Sequence, residues 1–243
     1  MESTALIVSD LHLGAVPDTV RDAFIRFCRH WQGRAEILLI NGDLFDFWFE
    51  YRTVVHSQHF QILRALAELR DSGVQLVLVG GNHDAWGGPF LEKELGMRLE
   101  KGPFEIELAG RRAFVDHGDG VGPGDHGYKL LKRTLRCGPV CRLMRLIHPD
   151  LADRIVGRVS RTGVRDELQF KKSRERAKVL EEFATELLES RPEVDLVVFG
   201  HCHTPQLKAI GSHGYYVNSG DWVDHRTYTV VTSDDIQQKE WSG

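Results

Sequence analysis

The sequence predicts an α/β fold, a sheet covered by helices, on three observations. Short apolar runs rich in β-formers alternate with stretches of helical periodicity. Five of those runs end in a segment that places Asp, His or Asn at the carboxyl end of a strand, where open α/β sheets build their sites. The chain has 243 residues, 42% hydrophobic and 27% charged, enough for a well-formed core, which excludes disorder, collagen and coiled coil.

Residues 4–9 (TALIVS) read as the first strand and residues 17–31 as the first helix, with Pro17 in its first turn, where the missing N–H is not needed. A buried-type strand follows at 37–40. Residues 57–69 carry Phe60, Leu63, Leu66 and Leu69 at helical spacing, and Ser72-Gly73 ends that helix before a strand at Gln75–Val79. The pattern then changes to period two at Phe104–Leu108 and 112–116, joined at Ala109-Gly110 as a hairpin. A helical stretch covers 128–190, with breaks at Gly138-Pro139, Pro149 and Gly163. Strands return at Leu196–Phe199, 215–218 and 228–232. There is no internal repeat, low-complexity segment or linker, so the expectation is a single domain over residues 1–243 with a helical insertion over about 120–190.

The net charge of −4 gives no global case for a nucleic-acid or membrane partner. Its distribution is uneven: between Lys129 and Lys178 the balance is +10, leaving −14 for the remainder. A basic insertion of this kind suits a cap that meets an anion, and equally a solvated face. No window has the roughly eighteen uncharged apolar residues of a membrane span. The start, Met1-Glu2-Ser3-Thr4, lacks the pattern of a signal peptide, so a cytoplasmic location is expected. Cys28, Cys137, Cys141 and Cys202 form no Cys-x-x-Cys pair and read as free thiols.

Chemistry concentrates in the five strand-end segments. In Asp10-Leu11-His12, the two-residue spacing of an extended chain turns both polar side chains to one face and Leu11 to the other, so one metal ion can be gripped by both. Gly42-Asp43, Gly81-Asn82-His83-Asp84, His117-Gly118-Asp119 and Gly200-His201-Cys202-His203 follow the next strands. Taken singly, each has a bland reading: Asp43 caps a turn, His117 is a satisfied core histidine, His201 and His203 lie on the surface. Five in one chain, each after a strand, point to a shared site. Cys202 is expected to point away from it. The other seven histidines, His59 and His225 among them, have no comparable context. The aromatic run Phe45, Phe47, Trp48, Phe49, Tyr51 suits either the mouth of the site or the core.

This set, from Asp10 to about Trp222, resembles the signature of the calcineurin-like metallophosphoesterase superfamily. The resemblance implies a four-layer α/β/β/α sandwich with a helical lid. It implies one metal ion held by Asp10, His12, Asp43 and His203 and a second by Asp43, Asn82, His117 and His201, with Asp43 bridging. His83 would act as a catalytic group facing the phosphate, stabilising charge or protonating the leaving oxygen, with Asp84 beside it to orient the ring. Two divalent ions roughly 3.5–4 Å apart neutralise phosphate charge and activate a water for in-line attack. A mixed N/O donor set without sulfur suits manganese, iron or zinc better than calcium.

The surroundings are more specific. Ser9-Asp10-Leu11-His12-Leu13-Gly14, Gly42-Asp43-Leu44-Phe45-Asp46-Phe47-Trp48 and Gly220-Asp221-Trp222, with a helical insertion after His117-Gly118-Asp119, are similar to the UDP-2,3-diacylglucosamine diphosphatase family of lipid A biosynthesis. That similarity implies hydrolysis of the pyrophosphate of a lipid-linked UDP-sugar to UMP and the diacylglucosamine 1-phosphate, two Mn2+ ions, and work at the cytoplasmic face of the inner membrane with a peripheral contact through the basic lid. No nucleic-acid partner and no obligate protein partner are expected. Asp125, Tyr128 and Ser160 would bind substrate near the sugar and phosphate, although Asp125 also suits a helix N-cap. In the insertion, Val140, Leu143, Met144 and Ile147 form one apolar stripe and Ile155, Val156 and Val159 another, bordered by Arg136, Arg142, Arg145, Arg154 and Arg158. Such stripes cradle acyl chains or pack the insertion onto the core.

Two departures stand out. His83 occupies the place of an arginine in the best-known members, and Ser160-Arg161-Thr162-Gly163 replaces a Ser-Lys run with further lysines. A second reading is therefore a phosphodiesterase or phosphatase of the same superfamily acting on nucleotides or other phosphoesters, with the basic insertion as a phosphate-tracking groove. Against it, Tyr128 and Phe170 are the insertion's main aromatics. A third, a non-catalytic scaffold on the same fold like the retromer subunit that has lost ligands, meets a full set of ligand positions here.

Overall fold

The strands β1 (Thr4–Val8), β2 (Ile37–Asn41) and β3 (Gln75–Val79) are apolar on both faces, the pattern of parallel strands covered on both sides, and they pair in parallel side by side. In a computed structural model, which describes residues 3–122, 126–159 and 167–243, alternate residues of these strands enter different cores. Leu6, Val8, Leu38, Ile40, Leu76 and Leu78 pack against Phe24 and Phe27 of α1 (Asp18–Trp31) and Leu63 and Leu66 of α2 (Phe60–Asp71). Ala5, Ile7, Leu39, Val77 and Val79 face a second sheet.

The first sheet has the order β11-β10-β1-β2-β3-β4, completed by β4 (Arg98–Glu100) and the antiparallel β10 (Thr227–Thr232) and β11 (Ile236–Glu240). The second has the order β5-β6-β7-β9-β8, from β5 (Phe104–Leu108), β6 (Arg111–Val115), β7 (Leu196–Phe199), β8 (Gln206–Ile210) and β9 (Gly214–Asn218). Val115, Leu196, Val198 and Val217 of the second sheet meet the first, while Val197, Phe199 and Tyr216 turn outward onto Ala177, Leu180, Ala184 and Leu188 of α6 (Glu167–Ser190). Helices, sheet, sheet and helix make the four expected layers. The β5–β6 hairpin closes on two residues, Ala109 and Gly110, with φ of 51° and 81°, the type I′ geometry that matches the strands' twist.

Between β6 and β7 lie α3 (His126–Leu135), α4 (Gly138–Met144), α5 (Pro149–Val159) and α6. Specific contacts seat them. Lys132 donates to the carboxylate of buried Asp119 at 2.8 Å, Arg136 to the Gly81 carbonyl at 2.7 Å, and the Trp86 indole to the Leu135 carbonyl at 3.1 Å. Met144 and Ile147 pack on Phe47, Phe49 and Ala152, so this part of the apolar stripe and of the aromatic run is core. Leu143, Leu146, Leu151 and Ile155 instead remain exposed. Among the described residues, no helix is long and apolar enough to cross a membrane.

Candidate metal centre

All five polar segments follow parallel strands, and their loops are stitched together by backbone hydrogen bonds. Leu11 and His12 both donate to the Asp43 carbonyl, Gly200 donates to that of His117, and Trp222 to that of Asp10. The extended alternation expected for Asp10-Leu11-His12 is corrected: Asp10 and His12 have φ of 53° and 47°, left-handed values that bring the two side chains to one side by turning rather than by pleating. Leu11 does turn away, into the core on α1 and α2. Asp43, His201 and His203 are also left-handed, at 53°, 66° and 51°. Such backbone costs about 1–2 kcal/mol per non-glycine residue, and in this chain it concentrates on the expected ligands.

Space for those side chains comes from glycines of neighbouring segments. A Cβ on Gly42 would sit 2.2 Å from Nδ1 of His117, and one on Gly81 would sit 2.1 Å from Oδ1 of Asp43. In these two motifs the glycine thus admits another motif's ligand.

The donor atoms converge in three groups, two of them joined by a third, His12, Asp43 and His83, that shares a residue with each. Ligand atoms of Asp10, His12 and His203 lie within 4.8 Å of one another, as do those of Asp43, His117 and His201. Nε2 of His12 and Nε2 of His203 are 3.3 Å apart, a spacing at which two lone pairs repel without a proton or ion to share. His117 holds its Nδ1 against the Asn41 carbonyl at 2.8 Å and turns Nε2 to Asp43, 3.3 Å from Oδ2. That is the arrangement in which a metal-binding histidine is oriented by a backbone carbonyl. Among the expected ligands, Oδ1 of Asp10, Oδ1 of Asn82 and Nε2 of His117 are buried with no hydrogen-bond partner in the described residues. An unmet buried acceptor costs about 1–3 kcal/mol, and carboxylate, amide oxygen and imidazole are the donors a divalent ion of the first transition row accepts, so the residues fit such an ion. Charge is arranged accordingly. Although burial acts to raise Asp10, His203 and His117 hold it at about 2. Burial is likewise overcome at Asp43, where His117 and His83 hold the carboxyl well below its ordinary value. Burial and His117 push His201 down to about 4, its neutral, ligating form.

His83 and Asp84 separate. The role expected for Asp84, orienting the His83 ring, is corrected: its carboxylate accepts the backbone N–H of Gly81, Asp43, Leu44 and Phe45 at 2.7–3.4 Å, pinning the loop that carries Asp43. Burial and Asp43 push Asp84 up to about 6. The His83 ring is held instead by Asp46, whose carbonyl meets Nδ1 at 2.8 Å and whose Oδ1 lies 3.4 Å away. The same carboxylate reaches Nδ1 of His12 at 3.5 Å. Sequence reasoning missed Asp46, and the signal was present in the run Gly42–Trp48. It also missed Asp221, fully buried behind His203 and bonded to His225.

A cleft of about 410 Å³ opens over this cluster, lined by His12, Asp43, Asn82, His83, His201 and His203 on one side and by Phe170 and Arg174 of α6 on another. Cys202 turns its Sγ toward Asn218 Nδ2, at 2.8 Å. Asp125 and Ser160 lie outside the described residues; Tyr128 falls on α3, with its side chain outside them.

A calcineurin-like phosphoesterase family model matches residues 3–205. A protein from Porphyromonas gingivalis named UDP-2,3-diacylglucosamine hydrolase is 30% identical over 260 residues, covering 95% of this chain and 94% of its own. Proteins of the same name are 30% identical over 222 residues in Ectopseudomonas mendocina, covering 89% of each chain, and 30% over 239 residues in Vibrio parahaemolyticus, covering 96% of each. The match runs through every segment from Asp10 to His203 and, in the relatives, across nearly the whole length: the chain belongs to the calcineurin-like phosphoesterase family and is a hydrolase.

Proposed function

We propose that the protein hydrolyses the pyrophosphate of UDP-2,3-diacylglucosamine to UMP and diacylglucosamine 1-phosphate. Two divalent ions, manganese as the expected metal, would be held by Asp10, His12, Asp43 and His203 and by Asp43, Asn82, His117 and His201, and would supply charge neutralisation for phosphate oxygens and activation of water. The observation that carries the reading is the gathering of the ligand atoms of Asp10, His12 and His203, of His12, Asp43 and His83, and of Asp43, His117 and His201, each set within 4.8 Å, at a cleft that His12, Asp43, Asn82, His201 and His203 line. The substrate is taken from the relatives' shared name.

In this reading His83 lines the cleft with Nδ1 engaged by Asp46, which leaves Nε2 to meet the phosphate or the leaving oxygen. The α3–α6 segment acts as a lid. Exposed Leu143 and Leu146, next to Arg142 and Arg145, give it a face for acyl chains or a membrane surface. Asp125, Tyr128 and Ser160 belong to the substrate-binding part of the proposal.

The test is product analysis of manganese-loaded protein with UDP-2,3-diacylglucosamine beside an aryl phosphodiester. UMP release at a much higher kcat/KM supports the lipid substrate. Turnover of the aryl ester alone sinks it and leaves a phosphodiesterase for other phosphoesters. Asp43→Ala and His117→Ala should each abolish turnover with circular dichroism retained, and full activity in either would contradict the two-metal reading.

A further inference from the structure

Beyond the side chains that gather at its floor, the cleft has a wall that the proposed chemistry does not use. Ser173 and Arg174 of α6 and His225, from the loop before β10, line it. Among the described lining residues Asp43 is the sole carboxylate, so Arg174, Ser173 and His225 bring a guanidinium, a hydroxyl and an imidazole to the cleft.

His225 is held from behind. Its Nδ1 meets Oδ2 of Asp221 at 2.6 Å. Asp221 has no exposed surface, and its other oxygen accepts the backbone N–H of Asp224 at 2.6 Å and of His225 itself at 3.4 Å. A buried carboxylate so fixed sets the rotamer of the ring and engages one of its nitrogens. Nε2, which has no partner among the described residues, is the nitrogen left for a ligand in the cleft. The same carboxylate oxygen lies 4.0 Å from Nδ1 of His203, so Asp221 ties the position of the His225 ring to that of a residue on the cleft floor.

We propose that Arg174, Ser173 and His225 form a subsite for a second phosphoryl group, so that one phosphorus of a pyrophosphate-linked substrate lies at the cleft floor and the other against this wall. Arginine's planar fork and a fixed imidazole match phosphoryl oxygens, and Phe170, one turn before Arg174, adds apolar surface at the same mouth. This inference rests on the phosphoesterase reading above and deepens it: the wall selects diphosphates over single-phosphorus ligands.

The test uses UDP and UMP, which share a nucleoside and differ by one phosphoryl group, bound to the full-length manganese-loaded protein by calorimetry. UDP should bind at least tenfold more tightly than UMP. Arg174→Ala and His225→Ala should each cost UDP about tenfold to a hundredfold, the worth of a charge-assisted hydrogen bond, and UMP much less, so that the UDP-to-UMP ratio collapses. A ratio near one in the natural protein, or an unchanged ratio in both variants, overturns the subsite. Arg174 is exposed on α6, so its variant keeps the test decisive if His225→Ala misfolds through Asp221. Hydrolysis of bis(p-nitrophenyl) phosphate, assayed beside it, separates the two ideas. Turnover without a UDP preference removes the subsite alone, whereas absence of turnover with manganese, zinc and iron removes the parent reading.

Discussion

A single carboxylate, that of Asp46, stands between two imidazoles with different tasks: 3.5 Å from Nδ1 of His12 and 3.4 Å from Nδ1 of His83. Partners behind a ligating histidine fix its ring and raise its basicity, and their loss typically costs about 10–100-fold in metal affinity or activity. Asp46→Ala should therefore weaken manganese binding by about that factor in a metal titration, with Asp46→Glu recovering part of it. Unchanged affinity and unchanged kcat would assign Asp46 to the loop alone. The ligands themselves were legible because Asp, His and Asn recur after apolar runs, a pattern that depends only on strand polarity. Asp46 and Asp221 stand in motif runs of the sequence, but which histidines they meet is not legible there. Their partners, His12, His83 and His225, are set by loop paths through left-handed residues such as His12 and Asp43, and side chains that normally avoid φ > 0 give no warning that they will adopt it.

His59 shows what the turn before α2 contributes. It closes the short 3₁₀ turn Ser57–His59, is almost fully buried, and sets its ring centroid 4.4 Å from that of Phe45 at a tilt of 47°. Burial, with His56 adding to it, pushes His59 down to about 4, so the fold holds it neutral where an unfolded chain would begin to protonate it near 6.5. The unfolded state then binds more protons between those values. The contribution of this group is complete above about pH 6.5 and is lost as pH falls toward 4, amounting to roughly 2 kcal/mol between pH 6.5 and 5. In urea unfolding at pH 7 and pH 5, His59→Gln should lose less stability on acidification than the natural protein, by about that amount; equal losses would refute the assignment. The elements themselves divide by burial. Strands inside the sheets announced themselves as apolar runs, whereas β4, β8 and β11, all at sheet edges, went unread. An edge strand such as Ile236–Glu240, with one buried residue in five, has no apolar alternation to find, and charged or polar edges are how sheets avoid pairing with other chains.

Across the whole molecule, charge and apolar exposure are segregated. The acidic remainder carries the sandwich, and among the described residues the +10 stretch from Lys129 to Lys178 carries most of the exposed large apolar side chains, Leu143 and Leu146 among them. Composition made the charge imbalance visible. Which residues of the stripe face solvent was not visible, because Met144 and Ile147 are chosen by the pocket that Phe47, Phe49 and Ala152 offer them. A surface that joins exposed leucines to Arg142 and Arg145 meets both requirements for lying on an anionic bilayer, apolar area to insert and cations worth about 1 kcal/mol each near the headgroups. Flotation with vesicles of phosphatidylglycerol and phosphatidylethanolamine should carry the protein upward at low salt and much less at 0.5 M salt. Leu143→Asp with Leu146→Asp should weaken that binding at least about tenfold, since each loses the burial of a leucine, worth about 1.5–3 kcal/mol, and adds a repelled charge. The two side chains are 64% and 82% exposed, so the substitution disturbs no core and the variant's melting temperature should hold within a few degrees. Binding that survives both high salt and the double substitution would place any membrane contact elsewhere on the surface and leave the insertion's exposed leucines to the acyl chains of a substrate.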